Sequence, residues 1–139
     1  MPPSRPTCAI AVIAADTDVI VRLLTADEPR QTEQARRLFE IETVFLPKTV
    51  LLEAEWVLRR LYRLERLPII RAFEALLSLP NVRCEDEPVV RQALAWNRAN
   101  LDFADALHLA SGRTAERFVT FDHELIKGAI AAGLAVSEP

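Results

Sequence analysis

Short apolar runs alternate with longer amphipathic stretches along this chain, and that alternation limits the folds open to it. The first run, residues 9–15 (AIAVIAA), is continuous and ends at Asp16-Thr17-Asp18. A run of this kind reads as a strand buried on both faces, as in a parallel sheet. Further strands are expected at 43–46 (TVFL, closed by Pro47), 81–84, 118–121 (FVTF) and 134–136. Helical periodicity is expected over 18–24, 29–40 (opened by a proline in the first turn), 49–62, 68–79, 88–97, 102–111 (stopped by Gly112) and 122–131 (followed by Gly133). Strands separated by helices imply βαβ units, hence an α/β fold with a parallel sheet and helices on both faces.

Length and composition fit one domain, 139 residues with 50% hydrophobic and 27% charged. Residues 1–8 (MPPSRPTC), with three prolines and no periodicity, read as a flexible leader to a single domain over 9–139. Arg5 followed by a short apolar stretch also sketches a signal peptide, but the stretch is short, lacks leucine and flows into an amphipathic segment. No apolar run approaches the ~18 residues that span a bilayer. The expected setting is the cytoplasm, since two cysteines, Cys8 and Cys84, are too few for a disulfide framework or a zinc cluster.

Glycine occurs only at positions 112, 128 and 133. A glycine-rich phosphate cradle early in a βα unit is therefore excluded. A net charge of −3 argues against binding nucleic acid by bulk charge. All but two of the 17 basic residues, Lys48 and Lys127, are arginine. That excess suits phosphate or carboxylate recognition, or simply reflects genome composition. Arg59, Arg63 and Arg66 are spaced as a helical stripe with Arg60 beside it, to follow an RNA backbone, pair with an acidic partner or face solvent.

In an open parallel sheet, ligands bind beyond the carboxyl ends of the strands. Asp16 and Asp122 each directly follow a strand and fall at that edge. Asp122 is also a good N-cap, whereas Asp18 is the better cap for the helix after Asp16, leaving Asp16 free. In the 49–62 helix, Glu53 and Glu55 point about 200° apart. Glu55 has Arg59 at i+4 and reads as a surface ion pair, while Glu53 has mostly apolar neighbours and no cation. Asp102 reads as a cap, with Asp105 three residues on and again no cation beside it. An uncompensated carboxylate against apolar surface is costly. Acids gathered with no His or Cys are suited to Mg²⁺ or Mn²⁺. His108 and His123 read as packing or surface residues, and Trp56 and Trp96, in helices rich in aliphatic neighbours, as core or interface rather than base-stacking platforms.

The segment ADTDVIVRLLTADEPRQTEQA, the helix LLEAEWVLRRLY, the run LDFADALHLASG and the strand end VTFD, in this order, resemble the PIN-domain ribonucleases, and among them the VapC-type toxins. The resemblance runs from about Ile10 to the C-terminus. It implies a PIN-like three-layer sandwich around a central, mostly parallel sheet of four to five strands. It further implies that Asp16, Glu53, Asp105 and Asp122 are the catalytic acids holding Mg²⁺ or Mn²⁺, Asp16 and Asp105 most directly, with Asp102 and Thr120 supporting. Asp18 stands where the family often has Asn, as a cap or as a further carboxylate near the metal. The implied activity is endonucleolytic RNA cleavage leaving a 5′-phosphate. The implied partners are a VapB-like antitoxin, held in a groove walled by the 29–40 and 49–62 helices, and a second copy in a homodimer.

Two rivals use the same residues. Asp16-Thr17-Asp18 resembles the nucleophile loop of haloacid-dehalogenase-like phosphatases, which also need a lysine and a late acidic pair. A non-catalytic interaction module on the same fold would be expected to lack acids, and none is missing.

Overall fold

The computed structural model describes residues 11–139. The leader expected over 1–8 and the start of the first apolar run lie outside the described residues. In chain order the elements are β1 (Val12–Ala14), α1 (Thr17–Thr25), α2 (Pro29–Ile41), β2 (Thr43–Leu46), α3 (Lys48–Arg60), α4 (Arg66–Leu77), β3 (Val82–Cys84), α5 (Glu87–Arg98), α6 (Phe103–Ser111), β4 (Phe118–Val119), α7 (His123–Ala131) and β5 (Val136–Ser137). The result is a helix-rich α/β fold with parallel strands, consistent with a helix–sheet–helix sandwich.

β2 is the middle of a three-stranded parallel ladder, with Val44 opposite Ile13 on one side and Val82 on the other. Its side chains alternate: Val44 and Leu46 are fully buried, Thr43 and Phe45 only partly. The side chain of Asn81 donates to the carbonyls of Phe39 and Glu42, pinning the α2–β2 turn to the start of β3.

Two sheet-level expectations change. β1 is exposed along its length rather than buried on both faces, and among the described residues it is an edge strand of its ladder. An apolar run signals a strand without revealing which layers will cover it. The five strands also divide: β4 and β5 form a separate parallel pair, with Phe118 opposite Val136. Asp16 and Asp122 therefore follow strands of different ladders, and one shared sheet edge does not by itself place them together.

The helices carry the core. Phe73 of α4 meets Phe103 of α6 edge to face, ring centroids 6.1 Å apart, a favoured aromatic geometry. Ile20, Leu51, Leu58, Ile70 and Leu94 fill the remaining space between α1, α3, α4 and α5. Buried Asn97 satisfies its amide by donating to the Leu101 carbonyl at 2.8 Å, which fixes the α5–α6 corner. Helix α7 lies close enough to Leu101 that a Cβ on Gly128 would sit 3.1 Å from Leu101 Cδ2. This corner delivers Asp102 to the start of α6.

The arginine stripe does not form. α3 stops at Arg60, Arg63 has a left-handed backbone (φ 55°), and Arg66 opens a new helix with its guanidinium on Asn100 at 3.0 Å. Among the described residues, no helix is long and apolar enough to cross a membrane.

Candidate active site

Helix starts position most of the acids. Asp16 is the N-cap of α1, its Oδ1 accepting the Thr17 N–H at 2.7 Å, while Asp18 lies inside the first turn. That reverses the expected division: Asp16 has a structural duty, and Asp18 adds negative charge at the positive end of the helix. Asp102 caps α6 as expected, its Oδ2 accepting the Asp105 N–H at 3.3 Å. Asp122 caps α7, with Oδ1 accepting from Glu124 N–H at 3.0 Å and Leu125 N–H at 3.2 Å. Thr120 supports it directly, because Thr120 Oγ1 accepts the Asp122 N–H at 3.0 Å.

The pair on α3 differs from its expected burial. Glu55 is only 5% exposed and Glu53 is exposed. The ion pair with Arg59 is present, Nε to Oε2 at 2.9 Å, but it is enclosed rather than superficial. Arg59 also comes within 4.0 Å of Asp102, so one guanidinium serves two carboxylates across the α3–α6 contact. Its proton is held more tightly than usual, chiefly by the hydrogen bond to Glu55.

Glu53 shares a cavity of about 350 Å³ between α1 and α3 with Asp16, Asp18, Arg22, Val57 and Tyr62. Asp105 belongs to a second group. Burial, then the negative charges of Asp102 and Asp122, push its carboxyl above the ordinary aspartate range, with His108 acting weakly the other way. The acids thus fall into two sets, Asp16 with Glu53 and Asp105 with Asp102 and Asp122. Among the described residues, no three His, Cys, Asp or Glu side chains converge closely enough to hold a metal ion.

The donor chemistry nevertheless fits a hard divalent cation. Mg²⁺ is usually bound by one or two carboxylates, with waters and substrate phosphates completing its shell. Paired carboxylates without a cation of their own meet that requirement, and none of Asp16, Glu53, Asp105 and Asp122 forms an ion pair among the described residues. The histidines contribute less. His108 is exposed on α6, and His123 faces Glu138 at 2.8 Å.

Two features here had no sequence signal. Tyr62 OH donates to Asp27 Oδ2 at 2.6 Å and accepts from Arg22 Nη1 at 3.0 Å, tying the end of α3 to the α1–α2 loop. Those residues are far apart in sequence and meet only in the fold. Trp56, expected to pack, is 49% exposed, whereas Trp96 is partly buried against the core as expected.

The PIN domain family matches residues 13–130, nearly the whole described chain. This chain belongs to the PIN-domain family. The PIN assignment agrees with the α/β fold and spans Asp16, Glu53, Asp105 and Asp122. Among solved structures, that of Mycobacterium tuberculosis VapC20, described as a sarcin–ricin loop cleaving toxin, aligns with 25% identity and a TM-score of 0.42. The alignment covers 89% of this chain and 96% of that one. None of the curated proteins compared with this PIN domain matches it.

Proposed function

We propose that this PIN domain is a Mg²⁺- or Mn²⁺-dependent endoribonuclease of the VapC toxin type, cutting RNA phosphodiesters. The observation that carries the reading is the state of its acids: among the described residues Asp16, Glu53, Asp105 and Asp122 form no ion pairs in a chain rich in arginine, while neighbouring Glu55 and Asp102 are served by Arg59. Asp16 with Glu53, and Asp105 with Asp122, are assigned as two carboxylate pairs, each able to supply the one or two carboxylates that such an ion takes. Such an ion, when bound, supplies a more acidic water and neutralises charge on the phosphodiester. The protein's own part is placement. Asp16 and Asp122 are fixed as helix caps, Thr120 holds the backbone of Asp122, and Asp102 receives the amide of Asp105. A histidine base is not required, consistent with the exposure of His108 and the pairing of His123.

An antitoxin of the VapB type and a second copy of the chain are the proposed protein partners. The grooves differ from those expected: α1 stands between α2 and α3, so one groove is walled by α1 and α2 and another by α1 and α3. The first, lined by Val19, Ala35 and Leu38 beside Arg22 and Gln31, is assigned to the antitoxin.

The phosphatase alternative lacks support at its key residue. The cavity containing Asp16 has no lysine in its lining, and Lys127 is exposed on α7. The deciding experiment is cleavage of a mixed RNA pool with and without Mn²⁺, wild type beside Asp16→Asn. Metal-dependent cutting lost in the variant supports the nuclease. Robust turnover of a small phosphoester with intact RNA would replace it.

A further inference from the structure

We infer that the arginine-lined cavity at the start of α4 anchors a backbone phosphate of the RNA strand, beside the corner that carries Asp102; this inference rests on the nuclease reading above. The cavity, about 410 Å³, is lined by Arg66, Leu67, Ile70, Arg71, Arg98 and Asn100, three guanidiniums and no acid. Among the described residues, Arg66 and Arg71 form no ion pair. Arg98 is held by both carboxylate oxygens of Glu74, at 2.9 and 2.8 Å. Arg66 donates to Asn100 Oδ1 at 3.0 Å, which orients its fork without neutralising it. All three arginines stand at exposed positions of a chain whose net charge is −3.

A cavity of this sign takes an anion, and the planar arginine fork matches phosphate oxygens in two-point contact. The start of α4 adds to it. Glu65 makes no side-chain cap there, and the first two helical residues, Arg66 and Leu67, both line the cavity. Position selects the source of the phosphate. Asn100, in the cavity wall, is two residues from Asp102, so their Cα atoms are at most about 7 Å apart. Asp102 in turn receives the Asp105 amide. An RNA strand with one phosphodiester at Asp105 and Asp122 can thus set a neighbouring phosphate into the cavity. A second copy of the chain, in a twofold contact centred here, would set arginine against arginine. An acidic protein segment would match the charge but gains nothing from lying beside the acids. Backbone contacts carry no base information, so the anchor adds affinity and register without choosing sequence.

The test uses full-length protein carrying Asp16→Asn, so that RNA survives, and adds Arg66→Gln together with Arg71→Gln. A control carries Arg30→Gln with Arg37→Gln instead, the same charge change at exposed positions of α2. The probe is a short random-sequence single-stranded RNA in Mg²⁺, read by fluorescence anisotropy across a salt series, with thermal melts to verify that each chain is folded. The cavity variant should bind about fivefold more weakly than the control, the effect of one or two exposed charge contacts. Its plot of log affinity against log salt should be shallower by about 0.7, the value of one single-strand phosphate contact. Arg71→Glu should weaken binding further than Arg71→Gln. Equal affinity and slope in cavity variant and control, beside a wild type that cuts RNA in Mn²⁺, overturns the anchor and leaves the nuclease standing. Polyglutamate that binds the parent but not the cavity variant, with RNA affinity unchanged, overturns it in favour of an acidic protein segment. A wild-type chain that neither cuts nor binds RNA removes both readings.

Discussion

Arg59 bonds Glu55 at 2.9 Å inside the α3–α6 contact, while Glu53, two residues earlier on the same helix, has no ion pair among the described residues. One acid is thereby structural and the other available. Removing Arg59 leaves Glu55 enclosed and unpaired, so Arg59→Ala should cost about 2 kcal/mol. Glu53→Gln, at an exposed position, should stay within about 0.5 kcal/mol of wild type. Urea denaturation of both variants checks the contrast. The Glu55→Ala/Arg59→Ala pair should be less destabilised than the sum of its singles, since the charge and its partner leave together.

Asp122 separates its two duties by substitution. Asn caps a helix about as well as Asp, whereas Ala loses the bonds to the Glu124 and Leu125 amides. Asp122→Asn should therefore unfold with wild-type stability and cleave RNA poorly. Asp122→Ala should lose about 1 kcal/mol in addition. Thermal melts beside Mn²⁺-dependent cleavage rates read both quantities on the same preparations. Wild-type activity in a well-folded Asp122→Asn would reduce Asp122 to a cap.

How far these roles were legible follows from the range of the interactions concerned. β2 was readable to its ends because TVFL is bounded by a turn and Pro47, both local signals. The capping of α6 by Asp102 was equally local. The enclosure of Glu55 was not, because its i+4 arginine is the same whether α6 covers that face or water does. The exposure of β1 and the separation of β4 from the main ladder depend on pairings between distant segments, which periodicity does not encode. The stripe of Arg59, Arg63 and Arg66 failed because the backbone turns at Arg63, and no proline or glycine marks that turn. Spacing predicts a helical face only while the helix continues.

Asp27 offers a test of the α1–α3 tie. The hydrogen bond from Tyr62 holds its carboxyl below the ordinary aspartate range, opposed by burial and assisted by the hydrogen bond from Thr25 and the charge of Arg22. A lowered folded-state pKa gives stability that is present above the unfolded pKa and lost as pH falls through the folded one. Tyr62→Phe removes the leading cause. Its melting temperature should fall short of wild type at neutral pH, and the gap should narrow as both are titrated into acid. A gap independent of pH would mean that the tyrosine contributes by packing alone.

Asp105 has the opposite sign. Burial and the charges of Asp102 and Asp122 raise its carboxyl above the ordinary range, so its ionised form opposes folding at neutral pH. For a raised pKa, the favourable contribution is complete below the unfolded value and disappears as pH rises through the folded one. In EDTA at neutral pH, Asp105→Asn should therefore melt higher than wild type, and the two should converge as the carboxyl is protonated. A divalent ion should reverse the ranking. An ion bound only by the folded state stabilises it by about 1.4 kcal/mol at ten times its Kd. Wild type should gain that increment with Mg²⁺ or Mn²⁺, while Asp105→Asn gains little. Melting temperatures of both proteins across pH, with EDTA and with millimolar Mg²⁺, measure the two effects separately. Equal response of both proteins to the metal would place its binding elsewhere and remove Asp105 from the proposed ligand set.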